Sequence, residues 1–138
     1  MSTPREQTLA LITHYYNVFN VGDRDGFLDL LTDDVQHDIN QGKSEIGRDT
    51  FATFLERMDR CYREQVEELQ VFSSEDGKRG SAEFYIRGSY INTDEGLPPA
   101  TGQTYRLRVG AFFEIRDQKV SRVTNYYNLE EWLRLVGA

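Results

Sequence analysis

Apolar positions recur at helical spacing near the start of the chain, at Leu9, Ile12, Tyr16 and Phe19, with Leu11, Tyr15 and Val18 widening the stripe. Thr3-Pro4-Arg5-Glu6 supplies an N-cap, a proline at the first helical position and the glutamate of a capping box. Gly22 stops this helix, and Asp23 can cap a short second one with Phe27, Leu30 and Leu31 on its buried face, closed at Asp33-Asp34. Val35-Gln36-His37-Asp38-Ile39 then alternates as a short strand, followed by a polar loop from Gln41 to Gly47. Asp49 is placed to cap a third helix with Phe51, Phe54, Leu55, Met58 and Tyr62 on one face. From Gln65 the period changes to two. The runs 65–73, 81–92, 103–116 and 119–127 predict antiparallel strands, with turns at Glu75-Asp76-Gly77 and Asp117-Gln118. In the third run Tyr105, Leu107, Val109, Ala111, Phe113 and Ile115 share one face. Residues 93–102, with Pro98-Pro99, form the longest turn and are expected to overhang a pocket mouth. Asn128 and Glu131 frame a last helix carrying Leu129, Trp132, Leu133 and Val136. The pattern predicts one α+β domain spanning 1–138, with helices packed on one face of a curved antiparallel sheet.

Composition narrows the partners. The 138 residues suit a single hydrophobic core. Sixteen Lys+Arg against twenty-three Asp+Glu give a net charge of −7, which argues against nucleic acid or an anionic membrane as partner. Cys61 is the sole cysteine, so no internal disulfide forms and a reducing, cytoplasmic setting is expected. The N-terminus lacks the apolar stretch of a signal peptide, and no run is long enough for a membrane span. His14 and His37 lie on different elements without ligand spacing, so no metal is expected. Neither a P-loop nor a dinucleotide fingerprint occurs, so the expected chemistry is free of cofactors.

Two segments carry a family resemblance. Tyr15-Tyr16-Asn17-Val18-Phe19-Asn20-Val21-Gly22-Asp23-Arg24-Asp25-Gly26 leads into Leu30-Leu31-Thr32-Asp33-Asp34-Val35, and Phe113 to Val123 leads into Tyr126-Tyr127. Across essentially its whole length the chain resembles the ketosteroid isomerase-like superfamily, which includes SnoaL-type polyketide cyclases, limonene epoxide hydrolase and nuclear transport factors. It looks most like bacterial proteins called ketosteroid isomerase-related. The resemblance implies a cone-shaped barrel with three N-terminal helices on the concave face of its sheet, a short C-terminal helix, a deep apolar pocket and dimerisation through the outer sheet face. It further implies a tyrosine that stabilises an enolate, which falls on Tyr15. The family's catalytic aspartate falls on Ile39, one residue past Asp38, and its second acid falls on Ala111 or Gly110, neither of which can donate a side-chain hydrogen bond. That last departure counts against steroid isomerisation by the family mechanism.

The residues themselves offer an acid–base set. His37 and Asp38 form the one adjacent His–carboxylate pair, and histidine titrates near neutrality, as a base should. Phase with Val35 and Ile39 would turn His37 into the pocket and Asp38 away, whereas a bulge would restore Asp38. Asn125, in phase with Val123 and Tyr127, can donate to a carbonyl or orient a water. Tyr127, Tyr90, Trp132 and Phe54 are candidates for ligand contact, each with core packing as the alternative. Tyr85, Ile91, Phe112 and Tyr126 share outward phases with charged residues, which predicts a covered sheet face and a homodimer. The expected function is a cofactor-independent isomerase- or cyclase-type enzyme acting on an apolar small molecule. A non-catalytic binding or dimerisation module is the alternative.

Overall fold

The computed structural model describes residues 2–137. In chain order the elements are α1 (Pro4–Val21), α2 (Arg24–Leu28), β1 (Leu31–Asp38), β2 (Ser44–Ile46), α3 (Arg48–Cys61), β3 (Tyr62–Ser73), β4 (Arg79–Tyr90), β5 (Thr104–Arg116), β6 (Lys119–Tyr126) and α4 (Leu129–Leu135). The architecture is α+β. A curved six-stranded sheet in the order β2-β1-β6-β5-β4-β3 stays open, with β2 and β3 at its edges. It is mixed rather than wholly antiparallel, because β1 runs parallel to β6. β1 and β6 are joined not by a hairpin but through β2, α3 and the β3–β5 meander, the long crossover that a parallel pair requires.

Local signals act where the sequence placed them. Thr3 Oγ1 accepts from the Glu6 amide while Glu6 reaches back to the Thr3 amide, completing the capping box of α1. Gly22 adopts φ 78°, the left-handed conformation that ends a helix without a Cβ penalty. Asp23 caps α2 through the Gly26 amide, and Asn128 caps α4 through Glu131. The β5–β6 hairpin turns on Asp117 and Gln118 at φ 53° and 61°, the paired positive values of a tight two-residue turn.

Four expectations need correction. α2 ends at Leu28, so Leu31 opens β1, and Asp33-Asp34 lies inside that strand instead of closing a helix. Part of the 41–47 loop is the short strand β2, which pairs with β1. α3 starts at Arg48 after Gly47, without a side-chain cap from Asp49. Tyr62, expected on the third helix, already begins β3, since the backbone turns extended there (φ −134°, ψ 155°).

The core lies between the helices and one sheet face. Ile12, Phe27, Leu31, Val35, Phe113, Val120 and Val123 are fully buried, and Tyr15, Tyr16, Phe51, Phe84 and Val109 join them. A second cluster of Tyr62, Tyr90, Tyr105, Leu107 and Val136 fills the end beneath α4. Ile91 lies just past β4, tied by its amide to the Cys61 carbonyl, and so is not part of the outer sheet face. No helix among the described residues is long and apolar enough to cross a membrane.

Candidate active site

The inner sheet face, α1 and α3 line a cavity of about 430 Å³ that opens to solvent. Side-chain alternation on β1 decides which of two neighbouring residues enters it. The β1–β6 register shifts between Leu31 and Gln36, leaving Asp33 and Asp34 exposed, and from Val35 onward odd-numbered residues face inward. His37 is therefore 3% exposed and lines the cavity. Its ring stacks on Phe51 at 4.3 Å between centroids and meets Phe54 edge-on at 4.7 Å. Nδ1 is buried with no hydrogen-bond partner among the described residues. Burial pulls the imidazole pKa down to about 4, with the nearby Asp38 charge opposing the shift, so the near-neutral titration expected of this histidine does not hold: the ring is neutral near pH 7 and a weaker base than an exposed imidazole.

Asp38 turns the other way and does not line the cavity. Its carboxylate accepts from Gln36 Nε2 at 2.9 Å, Arg122 Nε at 2.7 Å and Thr124 Oγ1 at 2.6 Å, and also from Ser44. Burial alone would raise its pKa, but these donors together hold it well below the usual carboxylate range. One residue of phase thus separates a buried neutral imidazole, its Nδ1 without a partner among the described residues, from a saturated carboxylate.

Tyr15 and Tyr16 both reach the cavity from α1. They meet edge-on at 4.9 Å, and burial raises the pKa of both phenols. The Tyr16 hydroxyl is buried and, among the described residues, without a partner. Asn125 lines the cavity from β6, directly opposite Ala111 on β5. Ala111 is fully buried on the inner face. The position where the resemblance implies a second acid is therefore apolar, and an amide stands on the adjacent strand.

Tyr127, Trp132 and Phe54 also line the cavity. Tyr90 does not: it is fully buried against Tyr62 at 5.4 Å, donates to the Pro98 carbonyl at 2.7 Å and accepts from the Asp94 amide at 2.9 Å. Its role here is to pin the 91–103 connection. That segment also sends Asp94 inward, where it accepts from Tyr62 Oη at 2.7 Å and Arg57 Nε at 2.8 Å. Burial pushes the Asp94 carboxyl up, but the bonds from Arg57 and Tyr62 outweigh it and hold the group below its ordinary range.

Three cavity carboxylates were missed by sequence reading: Asp94, Glu45 and Glu64. Glu45 lies on β2 directly opposite His37, with Oε1 buried and unpartnered among the described residues. A three-residue strand inside a polar loop left no periodic signal for it. Glu64 precedes the point where alternation becomes visible, yet Tyr62, Glu64 and Val66 share one phase once β3 is known to start at Tyr62. The Glu68 bulge at φ 54° then resets that phase and hides it.

These features place the chain among known proteins. The family model described as a SnoaL-like domain matches residues 12–123. No curated protein matches the chain significantly. A candidate polyketide cyclase from Xanthomonas campestris pv. campestris is 50% identical with a TM-score of 0.96, covering 98% of this chain and 100% of that one. Another from Pseudomonas putida KT2440 is 50% identical with a TM-score of 0.92, covering 99% and 100%. An NTF2-like protein of unknown function from Burkholderia pseudomallei K96243 shares 17% identity and a TM-score of 0.82 over the full length of both chains, a likeness of fold alone. The sheet order, the enclosing helices and the family match converge: the chain belongs to the SnoaL-like domain family.

Proposed function

We propose that this protein is a cofactor-independent enzyme that moves a proton on an apolar, carbonyl-bearing cyclic molecule held in the cavity. The observation that carries the reading is His37, a neutral imidazole buried against Phe51 and Phe54 with Nδ1 unpartnered. A buried polar nitrogen without a partner is costly to the fold, on the order of 1–3 kcal/mol, and a substrate proton gives it a use. His37 acts as the base, and Tyr15 and Asn125 donate to the oxygen on which charge develops. The absence of an acid at Ala111 favours a cyclase-like or other proton-transfer reaction over steroid isomerisation. The polyketide cyclase names of the two half-identical structures agree with this substrate class.

The test needs only the proton-transfer step. β-Tetralone incubated with the protein in deuterium oxide exchanges the hydrogens beside its carbonyl, read by proton NMR. Wild type accelerates exchange, and His37→Ala lowers the rate roughly hundredfold or more. Asp38→Asn keeps the wild-type rate. Unchanged exchange in His37→Ala, or an equal loss in Asp38→Asn, rules out His37 as the base.

We further propose that a second copy of the chain covers the outer sheet face. Phe112 and Tyr126 are 55% and 57% exposed there and meet edge-on at 5.9 Å, while the Tyr85 ring lies under the Arg106 guanidinium at 3.9 Å. Sedimentation velocity then gives a dimer for wild type and a monomer for Phe112→Arg. A monomeric wild type defeats this reading.

A further inference from the structure

Three neighbouring strands hold Glu64, Gly88 and Tyr105 in one row. Glu64 on β3 pairs with Gly88 on β4, which pairs with Tyr105 on β5. A Cβ at Gly88 would lie 2.4 Å from Tyr105 Cζ and 2.6 Å from its hydroxyl, so the missing side chain is what lets the tyrosine cross β4. Its hydroxyl donates to Glu64 Oε2 at 2.5 Å. Trp132 meets the Tyr105 ring edge-on at 6.1 Å and holds it in place.

This arrangement leaves half of a carboxylate unused. No hydrogen bond among the described residues reaches Glu64 Oε1. The side chain lines both the main cavity and a second cleft of about 440 Å³ bordered by Arg24, Asp59, Arg63 and Arg87. Arg24 is committed to Asp59 through bonds of 2.7 and 2.6 Å, and Arg57, across the main cavity, is committed to Asp94. Glu64 forms no ion pair among the described residues.

We propose that Glu64 is the ligand-recognising group at this end of the cavity, with Tyr105 fixing Oε2 and Oε1 accepting a hydrogen bond from a hydroxyl of the ligand. The inference deepens the proposed function and rests on its cavity reading: the substrate is a neutral cyclic molecule that carries a hydroxyl as well as a carbonyl. A hydroxyl fits better than an ammonium. Burial works against the charged form of Glu64, with the Tyr105 bond and the Arg24 charge opposing it. A hydroxyl both donates and accepts, so it serves either protonation state, whereas an ammonium serves only the ionised one.

Three probes of similar shape separate the outcomes: β-naphthol, β-naphthyl methyl ether and β-naphthylmethylammonium, titrated by calorimetry at pH 7. Wild type binds the naphthol roughly tenfold or more tighter than the ether, as expected for a hydrogen bond to a charged or strongly polar acceptor. Glu64→Leu brings the two within about twofold. Glu64→Gln, which keeps an acceptor oxygen, retains part of the preference and covers the case in which Glu64→Leu fails to fold. Asp38→Asn, outside the cavity, leaves the preference intact. Equal affinities in wild type, a preference that survives both Glu64 substitutions, or tightest binding of the ammonium overturns the inference while leaving the cavity reading standing. Binding of none of the three overturns the cavity reading and this inference with it.

Discussion

The outer face of the sheet and its helix-covered inner side treat polar groups in opposite ways. On the outer face Asp38 collects four donors, Arg122 bridges it to Glu114, and Arg108 pairs with Glu83 at 2.6 Å. On the inner face His37 Nδ1 and the Tyr16 hydroxyl are buried with no partner among the described residues. The exposed face satisfies its charges within the fold, although solvent could have done so. On the inner side Asp94 and Glu64 are hydrogen-bonded, yet His37 Nδ1, the Tyr16 hydroxyl and Glu45 Oε1 have no partner among the described residues. Stability alone selects the reverse arrangement. On the proposed function, the unpartnered atoms of His37 and Tyr16 belong to the ligand site, and the saturated carboxylate of Asp38 belongs to the scaffold.

The largest expected effect tests the titration of the inner face. The folded-state pKa of His37, about 4, lies below the ordinary value of 6.5. As pH falls, the unfolded chain takes up the proton first, so stability declines from about pH 6.5 to about pH 4, by about 3 kcal/mol over the whole window. Glu64 opposes this, because its raised pKa makes the folded state bind a proton more readily. The Glu64 contribution is common to wild type and His37→Phe, and His14 is exposed, so the difference between the two proteins isolates His37. Urea midpoints from pH 7 to 4.5 should fall in wild type and stay flatter in His37→Phe. Parallel curves would show that His37 is not held neutral by burial.

Next in size is Gly88→Ala. The added methyl group meets the Tyr105 ring, which is 4% exposed and has little room to yield. Overpacking of this kind costs about 2 kcal/mol. The variant should also lose the hydroxyl preference assigned to Glu64, whereas an alanine tolerated with full stability would mean that Tyr105 has another place to go.

How far the sequence could reveal this contrast depends on phase. β5 was legible because six inward residues alternate without interruption from Tyr105 to Ile115. The end caps at Thr3, Asp23 and Asn128 were legible because each is a local bond between residues three positions apart. The direction of His37 was legible only conditionally. Val35 and Ile39 set its phase, but a register shift upstream, between Leu31 and Gln36, could have reversed it. Glu45 and Glu64 were out of reach for different reasons. The first depends on a short edge pairing with β1, and the second on a bulge at Glu68 that splits β3 into two phases. Tyr90 shared the inward phase of β4 and still missed the cavity, because the 91–103 connection folds over it, which strand alternation does not encode.

The outer face responds more weakly than its bond count suggests. Asp38→Asn removes the charge that Arg122 and three other donors address, yet the Arg122 side chain is 45% exposed and keeps Glu114 at 3.2 Å. The expected loss is about 1–2 kcal/mol, because solvent screens the exposed half of the pair. Deuterium exchange into β-tetralone should be untouched. If Asp38→Asn left stability unchanged and slowed exchange, the assignment of scaffold and site to the two faces would be reversed.

The smallest effect carries the opposite sign. Removing a hydroxyl from the outer network, as in Thr124→Val, breaks a bond to Asp38 and should destabilise by about 1 kcal/mol. Removing the Tyr16 hydroxyl breaks nothing, because the oxygen has no partner among the described residues. Tyr16→Phe relieves the cost of burying an unpaired polar atom, so the protein should unfold at the same urea midpoint or a slightly higher one, by up to about 1 kcal/mol. The same substitution should weaken a carbonyl ligand if that hydroxyl is held open for one. A gain in stability with a loss of binding makes Tyr16 a site residue maintained against the interest of the fold. A loss of stability would show instead that the hydroxyl is satisfied in solution, and the inner face would then differ less from the outer one than its geometry indicates.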